Sequence, residues 1–112
     1  ITPCLTVSLD LGSFSVGWSI DLQKGLYDYQ KGNYASAFKQ WTPLAEEGGK
    51  EAQYFLGFMY EYGNGIPEDY KMAMKWYILS AKQGYSSAQD RIGFMYANGK
   101  GVPQDDREAV KW

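Results

Sequence analysis

Residues 57–76 read GFMYEYGNGIPEDYKMAMKW, and residues 93–112 read GFMYANGKGVPQDDREAVKW. The two stretches match at an offset of 36 residues, mainly at glycine, proline, aspartate, alanine and tryptophan positions. The same offset extends upstream and links small residues in pairs: Ala37 with Ala73, Ala45 with Ala81, Gly48 with Gly84, and Ala52 with Ala88. An internal repeat of this length therefore organises the chain.

Within each period, the apolar residues recur at helical spacing. In the first helix, the apolar side consists of Ala52, Leu56, Met59 and Tyr60, and it recurs one period later as Ala88, Ile92, Met95 and Tyr96. In the second helix, the apolar side consists of Ala73, Trp76, Tyr77 and Ala81. Among the aromatic residues, we predict that Trp76, Trp112, Tyr60 and Tyr96 lie in the core. Each period is predicted to be a pair of helices.

The segments between the helices carry residues that end and begin helices. Gly63 is predicted to end one helix in the left-handed conformation, and Asp69 to cap the next. Gly84 closes the second helix, and Ser86 or Ser87 is expected to cap the helix after it. Each period thus reads as helix, glycine loop, helix, tight turn.

Gly57 and Gly93 fall inside predicted helices, where glycine costs about 1 kcal/mol relative to alanine. We expect both glycines to let a Trp or Tyr of a neighbouring helix approach the backbone. One helix pair cannot bury both of its sides, so the units must stack. The predicted fold is all-α: an α/α superhelical solenoid of antiparallel helix pairs.

The repeated pattern is Ala-x-x-x-Leu-Gly-x-x-Tyr, then Gly-x-Gly-x-Pro-x-Asp, then Ala-x-x-Trp-Tyr. It runs from Ala52 to Gly84 and, in variant form, from Ala88 to Trp112. This pattern closely resembles the Sel-1-like repeat, a relative of the tetratricopeptide repeat with a longer loop between its helices. Upstream, Gly25 lies 12 residues before Ala37, against 16 residues between the corresponding Gly57 and Ala73, so the first unit resembles an ordinary tetratricopeptide unit.

We divide the chain into an apolar leader (1–20) and a repeat domain (21–112). The repeat domain contains a tetratricopeptide-like lead unit (21–48), a complete repeat (49–84) and a repeat that stops at its second helix (85–112), as in a piece of a longer array. The leader resembles the end of a signal peptide. Its alternatives are a disordered lead or a short strand with alternating Val7, Leu9 and Leu11.

Composition excludes several classes of chemistry. The chain has no His and one Cys, which removes imidazole bases, Cys/His zinc sites, Cys-His pairs and an internal disulfide. Residues 24–112 hold 11 basic and 11 acidic side chains, a balance that gives no reason to expect nucleic acid as a partner. No apolar stretch is long enough to span a bilayer. We predict no cofactor, no metal and no catalytic residue.

The resemblance implies a groove, lined by the first helix of each pair, that binds other proteins. Helical geometry puts one set of residues on a face distinct from the core side: Glu51, Tyr54, Phe58, Glu61 and Tyr62, continued one period later by Ser87, Asp90, Phe94, Ala97 and Asn98. We predict partner binding by Glu51, Tyr54, Phe58, Glu61, Tyr62, Asp90 and Phe94. The alternative for Phe58 and Phe94 is packing between repeats.

These features predict a non-catalytic interaction module, an adaptor or scaffold, in the bacterial periplasm or outside the cell, with a cytoplasmic location as the alternative. The alternative function is a hydrolase or a β-lactam-type small-ligand binder, as proposed for cysteine-rich relatives whose paired cysteines this chain lacks. A third hypothesis is head-to-tail self-association, in which the Trp112 end docks on the Asp21 end of another copy.

Overall fold

The computed structural model describes residues 20–112, which form helices and no strand. The described part of α1 covers residues 20–30. The helices that follow are α2 (Tyr34–Glu46), α3 (Lys50–Tyr62), α4 (Tyr70–Lys82), α5 (Ser86–Asn98) and α6 (Asp106–Lys111). The predicted all-α fold of helix pairs is confirmed.

The helices stack in the order in which they occur in the chain. From α2 to α6, the most extensive contacts are between helices that are consecutive in the chain, and those between α3 and α4 are the largest. The molecule is elongated, with extents of 55 × 30 × 17 Å. A stack in which each repeat contacts only the neighbouring repeats is the defining property of a solenoid.

Two buried clusters form the core, and they are copies of one pattern. The shared positions are Ala37, Trp41, Ala45, Ala52, Leu56 and Met59 in the first cluster, and Ala73, Tyr77, Ala81, Ala88, Ile92 and Met95 in the second. Each residue of the second cluster lies 36 positions after its counterpart. The sequence repeat is therefore a repeat of buried contacts.

The helix-interior glycines permit close contacts between helices. A Cβ atom added to Gly57 would lie 2.6 Å from Cδ1 of Tyr77, and one added to Gly25 would overlap the indole of Trp41. A Cβ at Gly93 would lie 2.9 Å from the carbonyl oxygen of Ala109. The prediction that an aromatic ring lies against a bare backbone is confirmed for Gly57, and Gly25 shows the same arrangement.

The glycine loop has the predicted caps. Gly63 takes a left-handed φ of 65° after α3, and Gly99 takes the same value after α5. A carboxylate oxygen of Asp69 accepts a hydrogen bond of 3.1 Å from the backbone N–H of Met72. Asp105 caps α6 in the same way. These bonds satisfy backbone groups that a helix end leaves unpaired.

The predicted serine cap of α5 is wrong. Tyr85 takes the N-cap position, Ser86 is the first helical residue, and no side chain caps this helix end. The ring of Tyr85 lies 5.3 Å from that of Tyr54 on α3. Packing of this aromatic side chain fixes where α5 begins, so Ser86 and Ser87 fall one and two positions too late to cap it.

The predicted core aromatics are only partly buried. Each packs against one of the two clusters while keeping some exposure: Trp76, Trp112, Tyr60 and Tyr96. The aromatic residues at the centre are instead Trp41 and Tyr77, which are 2% and 0% exposed. Both face a glycine of the preceding helix, which brings them deeper than their neighbours.

The predicted leader lies outside the described residues, except for residue 20. Within residues 20–112, no helix has both the length and the apolar character needed to cross a membrane.

Candidate functional site

Three aromatic residues form a ladder along α3. Tyr54, Phe58 and Tyr62 follow one another at four-residue spacing, which places side chains on the same face of a helix. The ring centroids of Tyr54 and Phe58 are 6.3 Å apart, and those of Phe58 and Tyr62 are 4.6 Å apart. Both separations are typical of favourable aromatic pairs. We call these three residues the aromatic ladder.

Arg91 on α5 joins the ladder to the next repeat. Its guanidinium carbon lies 4.4 Å from the ring centroid of Phe94 and 5.7 Å from that of Tyr62. One of its N–H groups also donates a 2.9 Å hydrogen bond to the Tyr62 hydroxyl. Tyr62 is 48% exposed and Phe94 is 41% exposed, so this part of α3 and α5 offers aromatic area to solvent.

Below this surface, Glu61, Tyr77 and Arg91 form a charged cluster. The Tyr77 hydroxyl donates a 2.7 Å hydrogen bond to the Glu61 carboxylate. Arg91 donates through Nε at 3.2 Å and also through Nη2, which makes an ion pair with the same carboxylate. Glu61 is 1% exposed. The carboxylate is therefore buried with both a charge partner and a neutral donor, as a buried charge requires.

The protonation states in the charged cluster follow from its burial. Burial raises the pKa of the Tyr77 hydroxyl far above its ordinary value, and the hydrogen bond to Glu61 raises it further. For Arg91, burial lowers the pKa, but the hydrogen bond to Glu61 and the charge of that carboxylate, with smaller effects of Tyr62 and Tyr77, together outweigh this, so the net pKa is raised. Tyr77 is thus a neutral donor and Arg91 a fixed cation, and the cluster links three helices.

We call the contact region between successive first helices a junction: α1 meets α3 at the first junction, and α3 meets α5 at the second. An apolar pocket of about 160 Å³ lies at the first junction. It is lined by α1, α2 and α3, through the residues Leu26, Tyr29, Trp41, Tyr54, Phe55 and Phe58. Two members of the aromatic ladder therefore form its wall. We call this cavity the apolar pocket.

Two of the three polar side chains in the pocket wall, Tyr29 and Trp41, already have hydrogen-bond partners outside the pocket. The Tyr29 hydroxyl accepts a 2.6 Å hydrogen bond from the Asn64 amide, and the Trp41 indole N–H donates to the Leu22 carbonyl at 3.3 Å. Burial also raises the pKa of the Tyr29 hydroxyl. The surface that lines the pocket is almost entirely apolar, so an entering group meets mainly aromatic rings.

The apolar pocket and the charged cluster occupy equivalent places in successive repeats. Helix α1 aligns with α3 through Gly25 and Gly57, at an offset of 32, and later helices align at 36. The pocket residues Leu26, Tyr29, Trp41, Tyr54, Phe55 and Phe58 therefore correspond, in this order, to Phe58, Glu61, Tyr77, Asp90, Arg91 and Phe94. Arg91 takes the place of Phe55, and Glu61 that of Tyr29. The second junction thus carries an ion pair where the first has a cavity.

The structure places most of the predicted site residues on one surface. Tyr54 and Phe58 are half-buried ladder residues, Tyr62 and Phe94 are exposed, Glu51 is half-buried and Asp90 is exposed. We call these residues, together with Arg91, the groove surface, after the groove that the resemblance to Sel-1-like repeats predicts. Glu61 differs from the prediction: its side chain turns under the surface to Tyr77 and Arg91, so it positions Arg91 instead of contacting a partner. Among residues 20–112, no group of His, Cys, Asp or Glu side chains could hold a metal ion.

Sequence reasoning missed Arg91, Leu26, Tyr29, Trp41 and Phe55 as site residues. Comparison of the repeats for identity overlooks these positions, because the site differs between repeats where the framework is the same. These residues could have been found from the aligned positions at which an aromatic residue in one repeat is replaced by a charged residue in the next: Phe55 by Arg91, and Tyr29 by Glu61.

Comparison with known proteins finds similarity to one family and to solved structures. The family model described as Sel1 repeat matches residues 50–85 and 86–112. No curated protein sequence matches the chain.

Two solved structures resemble the chain in fold and sequence. A Sel1 repeat protein from Oxalobacter formigenes is 30% identical, with a TM-score of 0.77 over 81% of this chain and 37% of its own. A protective antigen of uropathogenic Escherichia coli strains that displays an SLR fold is 36% identical, with a TM-score of 0.79 over 94% of this chain and 23% of its own. The chain spans well under half the length of either protein.

Proposed function

Because the chain belongs to the Sel1 repeat family, we propose that it is a non-catalytic interaction module that holds a peptide or a partner's surface on the groove surface. Sel1 repeats commonly mediate protein–protein interaction. The specific role we propose is that of an adaptor, which presents this surface to a partner protein.

The observation that carries the proposal is the aromatic ladder, which runs from the apolar pocket to the exposed rings of Tyr62 and Phe94. Large, rigid aromatic side chains provide contact area at low entropic cost and are enriched among the residues that dominate binding energy. Here they are held in fixed geometry by stacking and by Arg91. A partner would meet a surface that is already organised.

The state of the carboxylates also supports binding over hydrolysis. Glu61, which a hydrolase mechanism would recruit as an acid or base, is buried and bonded to Tyr77 and Arg91. Asp105 is engaged as the cap of α6. The apolar pocket has no carboxylate in its wall.

A peptide-display selection against the full chain tests the proposal. Selected peptides are measured against wild type, Phe58→Ala and Tyr62→Ala, with Leu79→Ala as the control, since Leu79 is 38% exposed on α4 and outside the groove surface. We expect each ladder variant to weaken binding by about 1–2 kcal/mol, and the control to bind like wild type. Binders that respond to Leu79→Ala but not to the ladder variants would place the interaction elsewhere.

We also propose a periplasmic or secreted location, supported by the apolar composition of residues 1–20. Fractionation of cells that express the full reading frame tests it, and recovery of the protein only in the cytoplasm would reject it. Head-to-tail association stays a prediction, which light scattering over a concentration series tests.

A further inference from the structure

We infer that the apolar pocket is the anchor site of the groove surface and takes one uncharged aromatic side chain from a peptide that carries a basic residue next to it. This inference rests on the proposed function and names the chemistry of the partner.

The size of the pocket fits one aromatic ring. An engineered apolar cavity of about 150 Å³ stays dry and binds benzene. The apolar pocket has nearly this volume, about 160 Å³, and its walls are likewise apolar. A phenylalanine ring would fill it, whereas a small polar side chain would leave most of the wall without contacts.

The chemistry of the wall requires an uncharged anchor. Its Tyr29 hydroxyl and Trp41 indole already bond to Asn64 and to the Leu22 carbonyl. A charged side chain placed among these rings would lose its hydration without gaining a partner, which is strongly unfavourable. The aromatic faces instead allow the offset or edge-on contacts that aromatic pairs prefer.

The position of the peptide along the repeats is set because only the first junction has room for a ring, and the ion pair of Glu61 and Arg91 fills the equivalent place at the second. There the Arg91 guanidinium and the buried Glu61 carboxylate lie where Phe55 and Tyr29 line the pocket. A ring cannot enter without breaking this ion pair. An aromatic anchor therefore selects the first junction over the second.

The side of the pocket toward α5 is acidic. Glu51 and Asp90 make no ion pair among the described residues, while the charge of Arg91 is balanced by Glu61. Glu51 lies one helical turn before Tyr54 on α3. Burial raises the pKa of the pocket residue Tyr54, Arg91 lowers it, and Glu61 and Asp90 raise it. Burial likewise raises the pKa of Tyr85, which contacts Tyr54, and Glu51 adds to it. A basic residue beside the anchor would meet this acidic side.

Three capped hexapeptides test the inference on the full chain by NMR titration: Gly-Gly-Phe-Arg-Gly-Gly, and its versions with Ser for Phe or Glu for Arg. We expect the Phe-Arg peptide to bind about tenfold or more tightly than the Ser-Arg peptide, from burial of the ring. We expect about a threefold preference over the Phe-Glu peptide at low salt, which disappears near 1 M salt. Equal binding of all three peptides would overturn the inference.

A transplant variant provides the matched test of the site. Tyr29→Glu, Trp41→Tyr and Phe55→Arg together give the first junction the charged cluster of the second, and should reduce the Phe-over-Ser preference at least tenfold. Leu26→Trp, which fills the pocket from α1, should do the same and covers the case in which the transplant does not fold. Leu79→Ala should keep the preference. A preference that survives in Leu26→Trp would reject the pocket as the anchor site.

The outcomes also separate this inference from the proposed function. Display-selected peptides that need Phe58 and Tyr62 but contain no aromatic residue next to a basic one would retain the interaction module and reject the anchor chemistry. A chain that yields no groove-dependent binder would reject the proposed function itself.

Discussion

The two junctions between successive first helices share a framework and differ in content. At the first junction, between α1 and α3, Tyr29, Trp41 and Phe55 surround an apolar cavity. At the second, between α3 and α5, Glu61 and Arg91 form a buried ion pair. The glycine contact behind each site is the same, since Gly25 lies against Trp41 and Gly57 against Tyr77.

This difference shows how a repeat protein can diversify its surface without changing its fold. The alanine, leucine and methionine positions that set helix packing recur at 36-residue spacing. The junction positions that change in character, Tyr29 against Glu61 and Phe55 against Arg91, are not among these shared core positions, so they can exchange rings for charges. A linear array of unlike sites on a constant framework favours recognition of an extended partner.

The largest expected effect is loss of the buried carboxylate at the second junction. Glu61→Ala would leave Arg91 and the Tyr77 hydroxyl without their acceptor, and should lower the free energy of unfolding by about 3 kcal/mol. This lies at the low end for a broken buried pair, because the Arg91 side chain is 23% exposed and can regain water. Urea denaturation measures it. Glu61→Gln, which keeps a hydrogen-bond acceptor, should lose less, and equal losses would contradict the charged-pair explanation.

The second-largest expected effect concerns the contact between a glycine and an aromatic ring that both junctions share. Gly57→Ala places a Cβ 2.6 Å from the Tyr77 ring and should destabilise by about 2 kcal/mol, despite alanine's better helix propensity. Gly25→Ala should cost a similar amount through Trp41. Thermal unfolding of both variants checks this, with Ala35→Gly as a reference for helix propensity at an exposed helical position. A stabilised Gly57→Ala protein would show that the contact is not tight.

Sequence reasoning could predict the framework because the framework is what repeats. Identical residues 36 positions apart gave the helix pairs, the loop of Gly63 and Asp69, and the glycine contact of Gly57. The start of α5 was mispredicted, because packing of Tyr85 on Tyr54 outweighs the capping preference of a nearby serine.

The candidate site was only partly predictable for the same reason. Helical spacing on a single helix revealed Tyr54, Phe58 and Tyr62 as one face. It could not show that Glu61 turns inward, since its partner Arg91 lies 30 residues away on another helix. The apolar pocket depends on three helices at once and has no local signature.

Alkaline pH should weaken the second junction through Tyr77, a titrating group at a position where the first junction has Trp41. The pKa of Tyr77 is raised in the folded protein above its ordinary value of 10.0. The folded state therefore holds this proton more tightly than the unfolded state, and stability is lost as pH rises above about 10, by up to about 1.4 kcal/mol per pH unit. Urea unfolding from pH 8 to 11 measures the slope. Tyr77→Phe should make the slope shallower, with the remainder due to Tyr29, Tyr54 and Tyr85, and an unchanged slope would assign all of it to those tyrosines.

The smallest expected change in stability comes from rebuilding the second junction in the image of the first. Glu61→Tyr, Tyr77→Trp and Arg91→Phe together exchange the ion pair for the residue types at the equivalent positions of the apolar pocket: Tyr29, Trp41 and Phe55. Replacing a buried ion pair by packed apolar groups is often neutral or stabilising. Gly57 can accept the new indole, because Gly25 already accepts Trp41. We therefore expect the free energy of unfolding to stay within about 1 kcal/mol of wild type, in contrast to Glu61→Ala.

Urea denaturation measures this free energy, and titration with the Phe-Arg hexapeptide should show a second binding equivalent. A loss as large as that of Glu61→Ala would mean that the ion pair contributes net stability of its own, and that the two junctions are not interchangeable.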